Sequence, residues 1–333
     1  MIMGHSFPDM DAFGAAVGMS AITEALGIDS YIVLDENRSF AGAAVDMLRA
    51  DGWNGKIIDV NEALTLMTRK TLLIVADTHK SSFVDFPSLY EKASATVVID
   101  HHRKSVDYIK DALIFFHDPN ASSTCEMVTE LMRYITPAPS LSAAEAQAML
   151  AGIMLDTKEF VLSTGVRTFE AAAFLKGKGA DTVAVKRLFS NSIESNRKRS
   201  EIISAAHIYR GCAIACAAPE NFNRGGPIAS TAPGTENARL LSAQAADELL
   251  EVSGVKASFV IFDSGNESIS ISARSYGDMN VQIIMEYLGG GGHRTMAAAQ
   301  LGGVNMQEAK SKLCEAIDAK YPRADGEEQD SIS

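Results

Sequence analysis

The chain has 333 residues, 47% hydrophobic and 22% charged, with a net charge of −12 at pH 7. That length suits about two domains, each able to bury a core, and the composition excludes disordered and fibrous classes. The acidic balance excludes holding long nucleic acid by bulk electrostatics, so a polyanionic ligand needs local neutralisation by metal or by a few placed basic groups.

The first 160 or so residues alternate apolar runs with helical patterns. A helix is predicted over Phe13–Leu26, then short strands at Ser30–Leu34 and Lys56–Asp59. The runs 71–76 and 95–99 are continuously apolar and end at Asp77 and Asp100. Such runs suit strands buried on both faces, and their alternation with helices predicts a parallel α/β sheet. Helices follow at Ala121–Tyr134, at Ser142–Asp156 and at Phe169–Lys178, which stops at Gly179. Ser142 with Glu145 three residues on is a capping-box pattern. Residues 186–206 carry Arg187, Arg197, Lys198 and Arg199 among polar residues and read as an exposed helical linker with a solvated basic face.

A smaller α/β unit is predicted over 207–323. It has a strand at Cys212–Ala217, a helix at Glu236–Val252 and a hairpin of Ala257–Phe262 with Ser268–Ala273. A helix at Asn280–Leu288 leads into Gly289–Gly292, and a last helix covers Met306–Ala319. The connection 218–237 is long, and 324–333 is an acidic tail expected to fray. There are no internal repeats. The four cysteines form no C-x-x-C pair, which speaks against a zinc ribbon and for a reducing compartment such as the cytoplasm. No apolar run approaches the roughly 18 residues that span a bilayer, so no membrane contact by this chain is expected. His5, Asp9 and Asp11 are too polar for a signal peptide.

Five clusters carry chemistry. The first is Gly4–Asp11, with His5, Asp9 and Asp11 ahead of a helix; alone, an Asp helix cap in a surface loop explains it better. The second is Asp77-Thr78-His79 and the third is Asp100-His101-His102-Arg103, each following a buried run. The fourth is Asp156 after a helical segment. Open α/β sheets bind ligands beyond the carboxyl ends of their strands, so these groups can converge. Carboxylates and imidazoles without thiolates suit Mn²⁺, Fe²⁺ or Mg²⁺. Six or so ligands exceed the needs of one ion. A dinuclear site is then expected, with ions roughly 3.5–4 Å apart, activating water for in-line displacement at phosphorus. A fifth cluster, Ser272–Ser275 with Gly289–Arg294, offers backbone N–H groups, Arg274 and His293 to an anion, although a bare glycine run is more often a flexible turn.

The Asp100-His101-His102 triplet, the His5…Asp9…Asp11 start, Asp77 and Asp156 resemble the DHH phosphoesterase superfamily. The Gly289–His293 segment is similar to its associated C-terminal domain. Within the superfamily, Ile2–His5 with Pro8–Ala12, Ala121–Thr124, Thr164–Ala172 and Asn280–Glu286 most resemble the catalytic region of GdpP-type cyclic-di-AMP phosphodiesterases. The resemblance spans about residues 1–322. It implies a DHH domain over 1–185, the linker 186–206, a DHH-associated domain over 207–323, and a cleft between two lobes. It implies two Mn²⁺, with His5 and Asp9 on one, Asp11, His101 and Asp156 on the other, and Asp77 bridging. It implies a catalytic set of Asp77, His101 and His102, with His102 facing the scissile phosphate. Ser122, Ser123, Arg274, Gly291, Gly292 and His293 would hold substrate phosphate or sugar. His79 and Arg103 receive no role.

The expected reaction is hydrolysis of cyclic-di-AMP to pApA. The expected partners are a cyclic dinucleotide or short oligonucleotide, with a homodimer implied by the family. Rival activities are an oligoribonuclease that also cleaves 3′-phosphoadenosine-5′-phosphate, a RecJ-like exonuclease, and a nucleotide-binding module without turnover. GdpP-type proteins place membrane helices, a PAS-like and a GGDEF-like domain before such a region. The expectation is therefore an excised piece of a parent anchored at the cytoplasmic face of a membrane.

Overall fold

The structure is a computed structural model that describes residues 1–190, 192–217, 235–265 and 267–322. The expected long connection 218–237 lies outside them, except for the start of one helix, as does the tail 324–333. The chain divides into two compact units, residues 1–190 and 191–333.

The first unit is built on six parallel strands: β1 (Ile2–Met3), β2 (Ile32–Val33), β3 (Ile57–Ile58), β4 (Leu72–Ala76), β5 (Ala95–Asp100) and β6 (Ile114–His117). Their order is β3-β2-β1-β4-β5-β6. The helices are α1 (Met10–Ala25), α2 (Gly42–Ala50), α3 (Val60–Leu66), α4 (Pro87–Lys92), α5 (Thr124–Met132), α6 (Ala143–Asp156), α7 (Val166–Gly177) and α8 (Thr182–Leu188). Alternation along each strand sorts the core into two layers. Ile2, Ile32, Ile74 and Ile99 pack with Phe13, Val17, Val128 and Met149 from α1, α5 and α6. Met3, Val33, Leu73, Val75 and Val98 pack on the other side with Ala63 and Leu89 of α3 and α4. The sheet is buried on both faces, which is why β4 is apolar throughout and β5 carries an apolar run, Val97–Ile99, at its centre.

The second unit holds α9 (Ile193–Ser204), β7 (His207–Tyr209), β8 (Cys212–Ala217), α10 (Thr235–Leu249), β9 (Ala257–Asp263), β10 (Ser268–Ser275), α11 (Val281–Tyr287), β11 (Gly291–Gly292), β12 (Met296–Gly302) and α12 (Met306–Lys320). The sheet order is β11-β12-β10-β9-β8-β7, with only the β8–β9 pair parallel. Here too one alternate set, Cys212, Ile214, Phe259 and Ile261, meets Ile284 and Leu313. The other set, Ala213, Ala215 and Val260, meets Ile202, Ala245 and Leu249. Residues 186–206, expected as an exposed linker, comprise the end of α8 and then α9, whose Ile202 is buried in that second core. Among the described residues no helix is long and apolar enough to cross a membrane.

Candidate metal centre

The carboxyl ends of β1, β4 and β5 bring three of the clusters together. His5 follows β1 and bridges to Val84. Asp77 follows β4 with a left-handed φ of 64°, its N–H donating to Ile99 O at 2.8 Å. His101 and His102 follow β5. Asp9 is the N-cap of α1, its Oδ1 accepting from Asp11 N at 2.9 Å and Ala12 N at 3.2 Å. Asp11, fully buried, accepts from Thr124 N at 2.7 Å and Cys125 N at 2.9 Å. It therefore satisfies the open N-terminus of α5 across the fold. Asp156 ends α6.

Ligand atoms of His5, Asp9 and Asp77 lie within 4.8 Å of one another, and so do those of Asp11, His101 and Asp156. Asp77 joins the sides: its Oδ2 is 3.4 Å from His5 Nε2 and its Oδ1 is 3.5 Å from His101 Nε2. His101 Nε2 also lies 2.9 Å from Asp156 Oδ2 and 3.9 Å from Asp11 Oδ2. Yet that buried nitrogen has no properly directed hydrogen-bond partner among the described residues. An orphaned imidazole nitrogen ringed by three carboxylates is what a divalent cation would satisfy.

The charges agree. Burial, then the neighbouring Asp11 carboxylate, pushes Asp77 up to about 8. Burial and Asp11 likewise raise Asp156 to about 6. Burial alone would lower His5, but Asp77 and Asp9 outweigh it and raise the ring to about 11. Burial would also lower His101, but Asp156, Asp77 and Asp11 raise it to about 10. Carboxylates raised by their own crowding are what a bound divalent cation would relieve.

His102 stands at the margin, 46% exposed. Its Nδ1 is 2.8 Å from Asp100 Oδ1, which also accepts from the His102 backbone N–H at 3.2 Å. Burial would raise Asp100, but His102 and then His79 hold it down at about 2. His79, which the sequence left without a role, is fully buried and bonds Asp100 Oδ2 through Nδ1. Its Nε2 accepts from Ser105 N at 2.9 Å, so the ring proton sits on Nδ1 and is donated to Asp100. His117 Nε2, 2.6 Å from His102 O, holds the same residue by its backbone. His79, Asp100 and His117 also have ligand atoms close together. They are spent on these bonds, and so they support the site rather than bind metal. The signal that could have found His117 is the short apolar run before it, now β6.

The residues expected to contact substrate are placed differently from one another. Ser122 and Ser123 are buried and internally bonded: Ser122 Oγ donates to Glu126 Oε2 at 2.6 Å, and Ser123 Oγ accepts from Glu126 N at 3.0 Å as the N-cap of α5. Both serve the helix start. Arg274, Gly291, Gly292 and His293 all lie in the second unit. Arg274 Nε is 3.1 Å from Asp247 Oδ1. Gly292 has φ 144°, and a Cβ there would lie 2.5 Å from Ala297 Cα. Part of the glycine run is therefore needed for close approach to β12. A Cβ on Gly291 would meet nothing within 4 Å. His293 is exposed in the turn that follows, and Arg103 is exposed after His102.

Comparison with known proteins agrees with this architecture. Residues 1–153 match the DHH family N-terminal domain, and residues 229–320 match the DHHA1 domain. The chain is 46% identical to a cyclic-di-AMP phosphodiesterase GdpP of Geobacillus thermodenitrificans, over 95% of this chain and 47% of that protein. It is 39% identical to the cyclic-di-AMP phosphodiesterase PdeA of Listeria monocytogenes, over 96% of this chain and 47% of that protein. It is 26% identical to the bifunctional oligoribonuclease and PAP phosphatase NrnA of Thermus thermophilus, covering 97% of this chain and 90% of that one. The chain thus spans about half the length of the GdpP and PdeA relatives it matches. An exopolyphosphatase-related protein from Bacteroides fragilis shares the fold, with TM-score 0.75 at 19% identity over 96% of this chain and 91% of that one. With the strand-end His and Asp clusters in the first unit and the glycine-rich β11 in the second, the chain carries a DHH domain followed by a DHHA1 domain.

Proposed function

We propose that this chain is the catalytic region of a metal-dependent phosphodiesterase that hydrolyses cyclic-di-AMP to linear pApA. The observation that carries it is Asp77, shared between the His5–Asp9 group and the Asp11–His101–Asp156 group. Identities of 39–46% to proteins named for that reaction support the substrate. His5 and Asp9 would hold one Mn²⁺, Asp11, His101 and Asp156 the other, with Asp77 between them. Two such ions, when bound, activate water and neutralise charge at phosphorus.

The chain's own groups do the rest. Asp100 accepts a hydrogen bond from His102 Nδ1–H, which leaves Nε2 as the ring's remaining polar atom at an exposed edge. From there it supports charge on the phosphate and holds a proton for the departing sugar oxygen. Arg274, Gly291, Gly292 and His293 supply substrate contacts from the DHHA1 domain. The free cysteines, with Cys125 and Cys212 buried, suit a reducing cytoplasmic setting. A homodimer belongs to the same proposal and is tested by sedimentation.

The likeness to NrnA across most of its length favours one second reading, an oligoribonuclease or PAP phosphatase using the same metal centre. Chromatography of products formed with Mn²⁺ separates the two. Conversion of cyclic-di-AMP to pApA, with cyclic-di-GMP slower and pAp untouched, is the expected result. Inert cyclic-di-AMP with rapid loss of pApA or pAp would replace the substrate and leave the metal centre standing.

A further inference from the structure

The loop that supplies His5 and Asp9 also exposes an aromatic residue where folding alone would hide one. Phe7 lies between those two ligands with a left-handed φ of 60° and is 37% exposed. A bulky side chain rarely adopts that backbone, and such strain gathers at functional positions. By contrast Phe13, one turn into α1, is buried. A second exposed aromatic is brought to the same place. Phe40, 56% exposed, has its ring 6.3 Å from that of Phe7 at an interplanar angle of 29°. Its position is fixed by backbone: Phe40 N and Ser39 Oγ both donate to Pro8 O, at 2.8 Å and 2.9 Å.

A cation completes the group. The Arg38 guanidinium lies 4.8 Å from the Phe7 ring centroid and 3.8 Å from Asp85 Oδ1. The Asp85 side chain is fully buried, and neither of its oxygens has a hydrogen-bond partner among the described residues. Arg38 is thus held near by charge without being used up by direct hydrogen bonds to Asp85. Two exposed aromatic rings and a guanidinium beside a phosphate-handling centre are the chemistry that stacks and neutralises a nucleotide.

We propose that Phe7, Phe40 and Arg38 form a platform that stacks the nucleobase next to the scissile phosphate. The occupant is a nucleobase, because a flat ring covalently joined to the phosphate can use both the aromatic faces and the candidate ligands His5 and Asp9 that flank Phe7. The identification as a base of the substrate rests on the function proposed above. The stacking itself is tested independently of turnover.

The test places an indole on the platform with Phe40→Trp; the native chain contributes only Trp53 as background. With Mn²⁺ present, adenosine 5′-monophosphate should quench the added indole and ribose 5-phosphate should not. Arg38→Ala in that background should weaken the nucleotide roughly tenfold. Phe40→Ala should raise KM for cyclic-di-AMP by roughly tenfold or more, with kcat changed far less. No base-dependent quenching, or an unchanged KM in Phe40→Ala, overturns the platform. A wild-type chain inert to cyclic-di-AMP whose Phe40→Trp variant still responds to the nucleotide overturns the substrate and keeps the platform.

Discussion

Asp77 sits where the two ligand groups meet, so its loss should be felt on both sides. Asp77→Asn keeps the shape and removes the charge. We expect turnover to fall on the order of a hundredfold or more, with Mn²⁺ binding weakened in calorimetry and the far-UV spectrum unchanged; wild-type turnover would sink the metal centre. His79 makes a subtler case because it touches no expected ligand atom directly. Through Asp100 it fixes the ring of His102. His79→Ala should lower kcat by roughly 10–100-fold with KM little changed, and His79→Asn, which keeps a donor near Nδ1, should recover part of the loss. Equal losses in both variants would reduce His79 to packing.

The four raised groups also fix a pH dependence. Each contributes stability that is complete below its unfolded pKa and lost as pH rises through its folded value. Those values are about 6 for Asp156, about 8 for Asp77, about 10 for His101 and about 11 for His5. Asp100, held near 2, runs the other way and loses its contribution only in strong acid. The metal-free protein should therefore lose Tm between about pH 5 and about pH 9, while bound Mn²⁺ replaces the departing protons. Calorimetry should find a larger Mn²⁺-induced rise in Tm near pH 8.5 than near pH 6; the reverse order would contradict these shifts.

At the scale of elements, the centre depends on how closely α1, α5 and α6 approach. A Cβ on Gly152 would lie 2.5 Å from Cys125 Sγ and 2.8 Å from the Asp11 Cα and Oδ1. Gly152→Ala must therefore displace Asp11 or α5. We expect it to cost about 1–3 kcal/mol in urea unfolding and to weaken Mn²⁺ binding as well; a loss of stability with intact metal affinity would show that α5 moves instead. Much of this framework is legible in the sequence. The apolar runs before Asp77 and Asp100 are buried strands of a two-faced sheet, as their length and alternation with helices indicated, and the Ser142–Glu145 capping box is present. What escaped has physical reasons too. β6 is an edge strand with alternating exposed residues, Ile114 to His117, so its apolar signal is diluted. Glu126, four residues past Ser122 on a helix, gathers Ser122, Ser123 and Thr168 into an internal network. Nothing in the one-dimensional pattern distinguishes serines bonded to a helix from serines offered to a phosphate.

Across the whole molecule, the cores divide as the contacts do. The cluster around Phe13 and Met149 and that around Leu73 and Val98 belong to residues 1–190, and those around Phe259 and Val260 to the remainder. Among the described residues no side chain is shared between the cores of the two units, so each unit carries its own hydrophobic driving force for folding. All six expected metal ligands fall in the first unit, while Arg274, Gly291, Gly292 and His293 fall in the second. A fragment of residues 1–190 should therefore unfold cooperatively and bind Mn²⁺ by calorimetry. Its hydrolysis of cyclic-di-AMP should fall by about two orders of magnitude or more, as when binding groups that orient a substrate are removed. A fragment that folds and turns over at the full rate would show that the DHH domain recognises substrate alone. That outcome would move recognition onto residues of the first unit, with Phe7, Phe40 and Arg38 the first to be tested. A fragment that folds without binding Mn²⁺ would instead mean that a ligand comes from the second unit, against the arrangement of Asp77 and its neighbours.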